Sequence, residues 1–184
     1  MRLFFATSFP DPITRDLNQR LAVLKPKLPP ASWVKPGSQH LTYAFLGEQE
    51  ESLIDKIAPA LEARLRGFGK FTTVCTGCGF FPNSRRARVG WVGLHPEQPF
   101  SDIAHVVREL VTHHGVELDR ADFRPHLTLM RIRDGWPPAS IEMFERALHD
   151  YRSAPFVVDA VTLYSSRLNP AGAIHTAVRN FALA

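Results

Sequence analysis

The segment Trp33–Glu48 reads WVKPGSQHLTYAFLGE, and its centre returns at Phe123–Arg131 as FRPHLTLMR. Each copy holds His-Leu-Thr in an apolar run: His40-Leu41-Thr42 and His126-Leu127-Thr128. Alternate side chains of a β-strand share a face, so each His points the same way as its Thr. The two copies lie close to half a chain length apart. Repetition at that distance predicts two related lobes, each lending one motif strand to a shared cleft.

Working outward from the first copy, Arg2–Ser8 reads as a strand. Asp11 reads as an N-cap with Pro12 at the first helical position, opening a helix to about Leu24 with Ile13, Leu17, Leu21 and Leu24 on one face. Lys25–Pro30 is a Pro-rich break, Trp33-Val34 a short strand and His40–Leu46 a clear one. A second helix is expected over Glu51–Phe68, with Pro59 kinking or shortening it. Strands are expected at Phe71–Cys75 and Ala87–Leu94, then a helix from Pro99 to His114. His126–Arg131 is the second motif strand, Ile141–His149 a helix, and Phe156–Ser165 and Ile174–Phe181 closing strands. Asn169-Pro170-Ala171-Gly172 between the last two reads as a hairpin turn. Strands mixed with helices, without strict βαβ alternation, predict an α+β fold. The expected architecture is bilobal, with two antiparallel sheets around a central cleft and helices outside. Residues 1–184 form one domain of two intertwined lobes, with one His-x-Thr motif in each.

The chain has 184 residues, 45% of them hydrophobic and 22% charged, as in an ordinary globular protein. Its net charge of +4 suits an anionic ligand, and solubility accounts for it equally well. No apolar run approaches the length of a membrane span. The opening Met1–Ala6 runs straight into Thr7, Ser8 and Pro10, too short an apolar stretch for a signal peptide, so the expectation is a cytoplasmic protein, and by default a monomer. The two cysteines, Cys75 and Cys78, stand as CTGC. That spacing suits a redox pair or half a zinc site, but it ends a strand-like run rather than opening a helix. The reading favoured is a pair of reduced structural thiols.

Imidazole titrates near neutral pH, so of two opposed histidines one can be neutral and the other protonated. The neutral one can take a proton from water while the charged one gives a proton to a leaving alkoxide. A cyclic phosphodiester needs that pair: attack on phosphorus from one side, departure of a ribose oxygen on the other. Thr42 and Thr128 can donate hydrogen bonds to the non-bridging oxygens, and β-branching fixes their hydroxyls. A zinc site would compete for the histidines, but neither motif carries a nearby Asp or Glu to complete it. No metal and no cofactor are expected. The sequence itself does not say which His is acid and which is base. Phe5, Phe9, Trp33 and Phe123 are weaker candidates for stacking on a base, against a role in packing. Arg85, Arg86 and Arg88 could meet an RNA backbone or form a solvated loop.

With both motifs in place, the chain resembles the 2H phosphoesterase superfamily. Within it the likeness is to the RNA 2′,3′-cyclic phosphodiesterases, also called 2′-5′ RNA ligases or the LigT family. The resemblance spans RLFFATSFP, WVKPGSQHLTYAFLGE, FFPNSRRARVGWVGL and FRPHLTLMR. It implies hydrolysis of 2′,3′-cyclic phosphates on RNA ends or nucleotides to a 2′-phosphate without metal, and reversible 2′-5′ ligation. On this chain it implies that His40 is the proton donor and His126 the acceptor. Thr42 and Thr128 would bind the phosphate, with Arg131 adding positive charge. In NPAGAIHTAVRNFAL, His175 stands where the family often has Tyr, which makes it a further candidate to touch substrate. The alternatives are a 2H enzyme acting on 2′-5′ oligonucleotides or small cyclic nucleotides, and a nucleotide-binding module without catalysis.

Overall fold

A computed structural model describes residues 1–169 and 172–184 of the chain. Alternation within the motif strands sets the architecture. In β3 (His40–Glu48), Leu41 and Tyr43 are fully buried while His40 and Thr42 are half-buried. In β6 (His126–Arg131), Leu127 and Leu129 are buried beneath half-buried His126 and Thr128. The apolar members enter the core and the polar ones stay on the open face, as period-2 patterning requires.

Two antiparallel sheets result, and the fold is α+β as expected. The first has the order β3-β1-β8-β9, with β1 at Arg2–Ser8, β8 at Ala160–Asn169 and β9 at Gly172–Ala182. The second has the order β2-β6-β5-β4-β7. Here β2 is Ser32–Trp33, β5 Val89–His95, β4 Phe71–Phe81 and β7 Phe156–Val158. The motif strands β3 and β6 lie against each other, so the polar faces of the two sheets open onto one cleft. Four helices sit outside: α1 (Asp11–Leu24), α2 (Ser52–Leu65), α3 (Gln98–His113) and α4 (Pro138–Leu148). Their buried stripes join both sheets in one core, with Leu17, Leu61, Phe100 and Phe144 fully covered.

Several local expectations are corrected. Asp11 is the first residue of α1 rather than its N-cap; Pro10 precedes the helix, and among the described residues no side chain caps it. Helix α2 runs through Pro59. Pro59 and Asp55 both lie on the exposed side, where water can reach the Asp55 carbonyl that Pro59 leaves without a donor. Strand β4 does not stop at Cys75 but continues to Phe81, because Gly77 adopts a left-handed φ of 71° and absorbs a bulge between Cys75 and Cys78. Both thiols are free, and burial pushes Cys75 up to about 12 and Cys78 up to about 11, as inert structural thiols require. The strand expected over Phe156–Ser165 divides at Asp159, and its two parts join different sheets. Of the expected hairpin turn, Pro170 and Ala171 lie outside the described residues; Asn169 and Gly172 pair across β8 and β9. Among the described residues, no helix is long and apolar enough to cross a membrane.

Candidate active site

Both motif histidines are held by the same device. His40 Nδ1 lies 2.8 Å from the Ser38 carbonyl, and His126 Nδ1 lies 2.6 Å from the Arg124 carbonyl. A carbonyl only accepts, so Nδ1–H donates in each case, and Nε2 is left as the atom that exchanges protons. Each partner stands two residues before its histidine, just ahead of the strand, so local backbone fixes the ring orientation. Burial pushes His40 down to about 4; the Ser38 carbonyl opposes this, and the charges of His175 and His126 add to it. Burial also lowers His126, the Arg124 carbonyl raises it, and the Arg131 charge lowers it. The contact between β3 and β6 sets the two histidines on neighbouring strands.

The neighbouring strands present matched positions. Ser8 and Ala6 of β1 stand opposite His40 and Thr42. Gly93 and Trp91 of β5 stand opposite His126 and Thr128. Beyond each Thr the register slips by one residue. Ala6 pairs with Thr42 and Phe4 with Phe45; Trp91 pairs with Thr128 and Val89 with Arg131. Residues two apart on β1 or β5 share a face, so their partners three apart on the motif strand share it too. The slip therefore brings Arg131 onto the cleft face beside Thr128 and His126. It brings Phe45 to the corresponding place in the first sheet.

Aromatic rings support both histidines. His40 lies 5.0 Å from Phe4 and 5.3 Å, edge to face, from His175, which itself meets Phe4 at 4.9 Å. Tyr164 stacks on Phe4 at 5.4 Å. In the second sheet His126 meets Phe81 at 4.8 Å, and Phe81 stacks on Trp91 at 5.3 Å. The indole lies over Gly79, where a Cβ would come within 2.7 Å of it. Burial lowers His175, whose buried Nδ1 has no hydrogen-bond partner among the described residues. Among the described residues, no three His, Cys, Asp or Glu side chains are grouped so as to hold a metal ion.

The structure thus brings together His40, Thr42, His126, Thr128, Arg131 and His175. The four stacking candidates are corrected. Phe5 lies on the core face of β1 and is fully buried. Phe9 is buried against Phe156 at 5.3 Å. Trp33 pairs with Met130, on the face opposite Thr128, and carries the Lys25 ammonium 4.8 Å over its ring. Phe123 stacks on Tyr43, whose hydroxyl is buried against Thr7 in the core. The aromatic residues on the cleft face are instead Phe4, Phe45, Tyr164, Phe81 and Trp91. Counting by twos from His40 across to β1 separates Phe4 from Phe5, but only once the register Ser8 opposite His40 is known. Of the arginines near Trp91, Arg88 donates to the Arg133 carbonyl, while Arg85 and Arg86 sit in a turn capped by Asn83 Oδ1.

Comparison with known proteins agrees with this geometry. The model of the 2′-5′ RNA ligase superfamily matches residues 9–170. An RNA 2′,3′-cyclic phosphodiesterase of Thermotoga maritima is 31% identical over 95% of this chain and 91% of its own length. Another from Archaeoglobus fulgidus is 31% identical over 98% of this chain and 99% of its own. Among solved structures, one from Thermus thermophilus superposes with a TM-score of 0.79 at 26% identity, covering 99% of this chain and 97% of the other. The E. coli LigT structure with 3′-AMP gives a TM-score of 0.74 at 25% identity, covering 99% of this chain and 97% of LigT. Two motif strands on one cleft, with the family match running through both, place this chain in the 2′-5′ RNA ligase superfamily.

Proposed function

We propose that the protein hydrolyses 2′,3′-cyclic phosphates on RNA ends or nucleotides to 2′-phosphates, by paired-histidine catalysis that needs no metal. The observation that carries this reading is the duplicated histidine mount: two imidazoles on abutting strands, each tied at Nδ1 and each offering Nε2. His126 takes a proton from water as its oxygen attacks phosphorus. The bond from phosphorus to O3′ breaks, and protonated His40 delivers its proton to that oxygen. Thr42 and Thr128 hold the non-bridging oxygens, and Arg131 offsets the charge that builds on them. With a 5′-hydroxyl in place of water, the same steps form its bond to phosphorus as the bond to O3′ breaks, which is 2′-5′ ligation; run backwards with the histidine roles exchanged, they return the 2′-5′ diester to the cyclic phosphate and the free 5′-hydroxyl. The names of the Thermotoga and Archaeoglobus relatives and the 3′-AMP bound by LigT support the substrate class.

In the free protein both histidines are pushed toward the neutral form. A phosphate anion in the cleft favours the charged form and restores the proton that His40 must deliver. The pH profile of kcat/KM, which reports free-enzyme ionisations, is therefore expected as a bell lying to the acid side of 6.5, the ordinary histidine value, with the kcat bell displaced to higher pH. The decisive assay incubates the protein with adenosine 2′,3′-cyclic phosphate in excess EDTA and locates the product phosphate by NMR. A 2′-phosphate is expected. Absence of turnover with or without added metal overturns the reading, and turnover abolished by EDTA alone overturns its metal-free part.

A further inference from the structure

We propose that His175 is a third hydrogen-bond donor of the reaction: through Nε2–H it holds a non-bridging oxygen of the cyclic phosphate on the His40 side of the cleft. The inference rests on the reaction proposed above and adds a residue to the groups that grip the phosphate. Along Gly172–Asn180 of β9, the edge strand of the first sheet, every residue but His175 is exposed. In the order β3-β1-β8-β9 that edge stands three places from the motif strand, roughly 14 Å away in a flat sheet. Yet the His175 ring meets His40 at 5.3 Å, edge to face, and Phe4 at 4.9 Å. An otherwise solvated strand thus sends one side chain inward, across two intervening strands, to the proton donor.

The nitrogens of this ring are arranged opposite to those of the motif histidines. His40 and His126 each donate Nδ1–H to a backbone carbonyl, which leaves Nε2 bare in the neutral ring. His175 Nδ1 is buried and has no hydrogen-bond partner among the described residues. A proton kept there would be a buried donor with nothing to accept it. The neutral ring therefore carries its proton on Nε2, toward the open side of a half-buried side chain. Packing alone does not account for an imidazole at this place. A phenyl ring would make the same contacts with Phe4 and His40 and bury no polar atom without a partner. Charge points the same way. A protonated His175 would repel the proton that His40 must deliver, and burial favours the neutral form, which grips an anion without that repulsion. Side by side, one imidazole exchanges a proton and the other donates a hydrogen bond.

The test pairs two variants with adenosine 2′,3′-cyclic phosphate as substrate. His175→Phe keeps a ring and removes the donor; its kcat/KM is expected to fall about 10–100-fold, the worth of one hydrogen bond to a charged oxygen. His175→Gln gives up the ring but carries an N–H at about the reach of Nε2, and is expected to restore most of the loss. Unchanged kcat/KM in His175→Phe, or equal losses in the two variants, overturns the proposal. A second readout needs neither a variant that folds nor turnover. In wild type labelled with ¹⁵N-histidine, at a pH above the histidine range, ring-nitrogen NMR should show Nε2–H at His175 against Nδ1–H at His40 and His126. Inorganic phosphate should then shift the His175 Nε2 signal. Nδ1–H at His175, or an Nε2 signal indifferent to phosphate in a protein that turns the substrate over, overturns the donor and leaves the reaction standing. An Nε2–H that responds to phosphate in a protein that cleaves no cyclic phosphate upholds the donor while the proposed reaction falls.

Discussion

Replacing either motif histidine with alanine is expected to lower kcat by about 10²–10⁴ while KM changes little, since the proton transfers belong to the transition state. The double variant should lose about as much as the worse single one, because the two act as a unit; additive losses in steady-state kinetics would contradict the pairing. The same burial that tunes His40 also couples folding to acidity. His40 has a folded-state value of about 4 against an ordinary 6.5, so between those values the unfolded chain binds the proton that the native state refuses. Stability therefore falls as pH drops through that window, by ~3 kcal/mol from His40 alone at its lower end. Thermal melts of wild type and His40→Phe across this range check the sign: the variant's melting temperature should decline less steeply toward pH 4. The catalytic candidates were legible because residue identity and repetition announce them. Phe45 was not legible as a ring on the cleft face, because an apolar letter within YAFLG reads as core until the strand register is known.

At the level of strands and turns, the close approach of β5 to β4 opposite His126 depends on Gly93. A Cβ there would stand 2.8 Å from the Thr76 carbonyl oxygen, which belongs to the backbone and cannot swing aside. Gly93→Ala should cost roughly 1–3 kcal/mol and displace the partner of His126, lowering activity together with stability. Gly90→Ala is the control, since its Cβ would meet the terminal methyl of Met130, the movable end of a flexible chain, at 2.5 Å. Urea titrations should show the larger loss for Gly93→Ala; the reverse order would refute this account of the β4–β5 contact. Most elements followed from sequence pattern. The helical stripe Ile13, Leu17, Leu21 and Leu24 is buried as its spacing implies, and β1 and β6 begin and end where expected. Register was the hidden quantity. Both motif strands slip by one residue just past the threonine, and β3 slips again at Leu46; each slip reverses which later residues of the motif strand face the cleft, and no local propensity announces a slip set by pairing with a distant strand. The choice between Phe5 and Phe4 turns on register alone: β1 alternates without a break from Ser8, so Phe4 faces the cleft once Ser8 is known to stand opposite His40.

For the molecule as a whole, one apolar core joins Leu41 and Leu163 of the first sheet to Leu127 and Val92 of the second. We therefore expect a single cooperative unfolding transition, with far-UV and near-UV circular dichroism superimposing; two separated transitions would show that the lobes are independent domains. The strand order also separates the halves in time. The first sheet takes β1 and β3 from before the second sheet's main strands in sequence, and β8 and β9 from after them. A chain leaving the ribosome N-terminus first finds β4, β5 and β6 in immediate succession, so the His126 half can assemble as it emerges. Meanwhile β1 has only β3 beside it, and its other flank stays an open ladder edge until β8 is synthesised. During translation that unfinished edge is an adhesive surface on the nascent protein, and a place where a holding chaperone would help to secure an active yield.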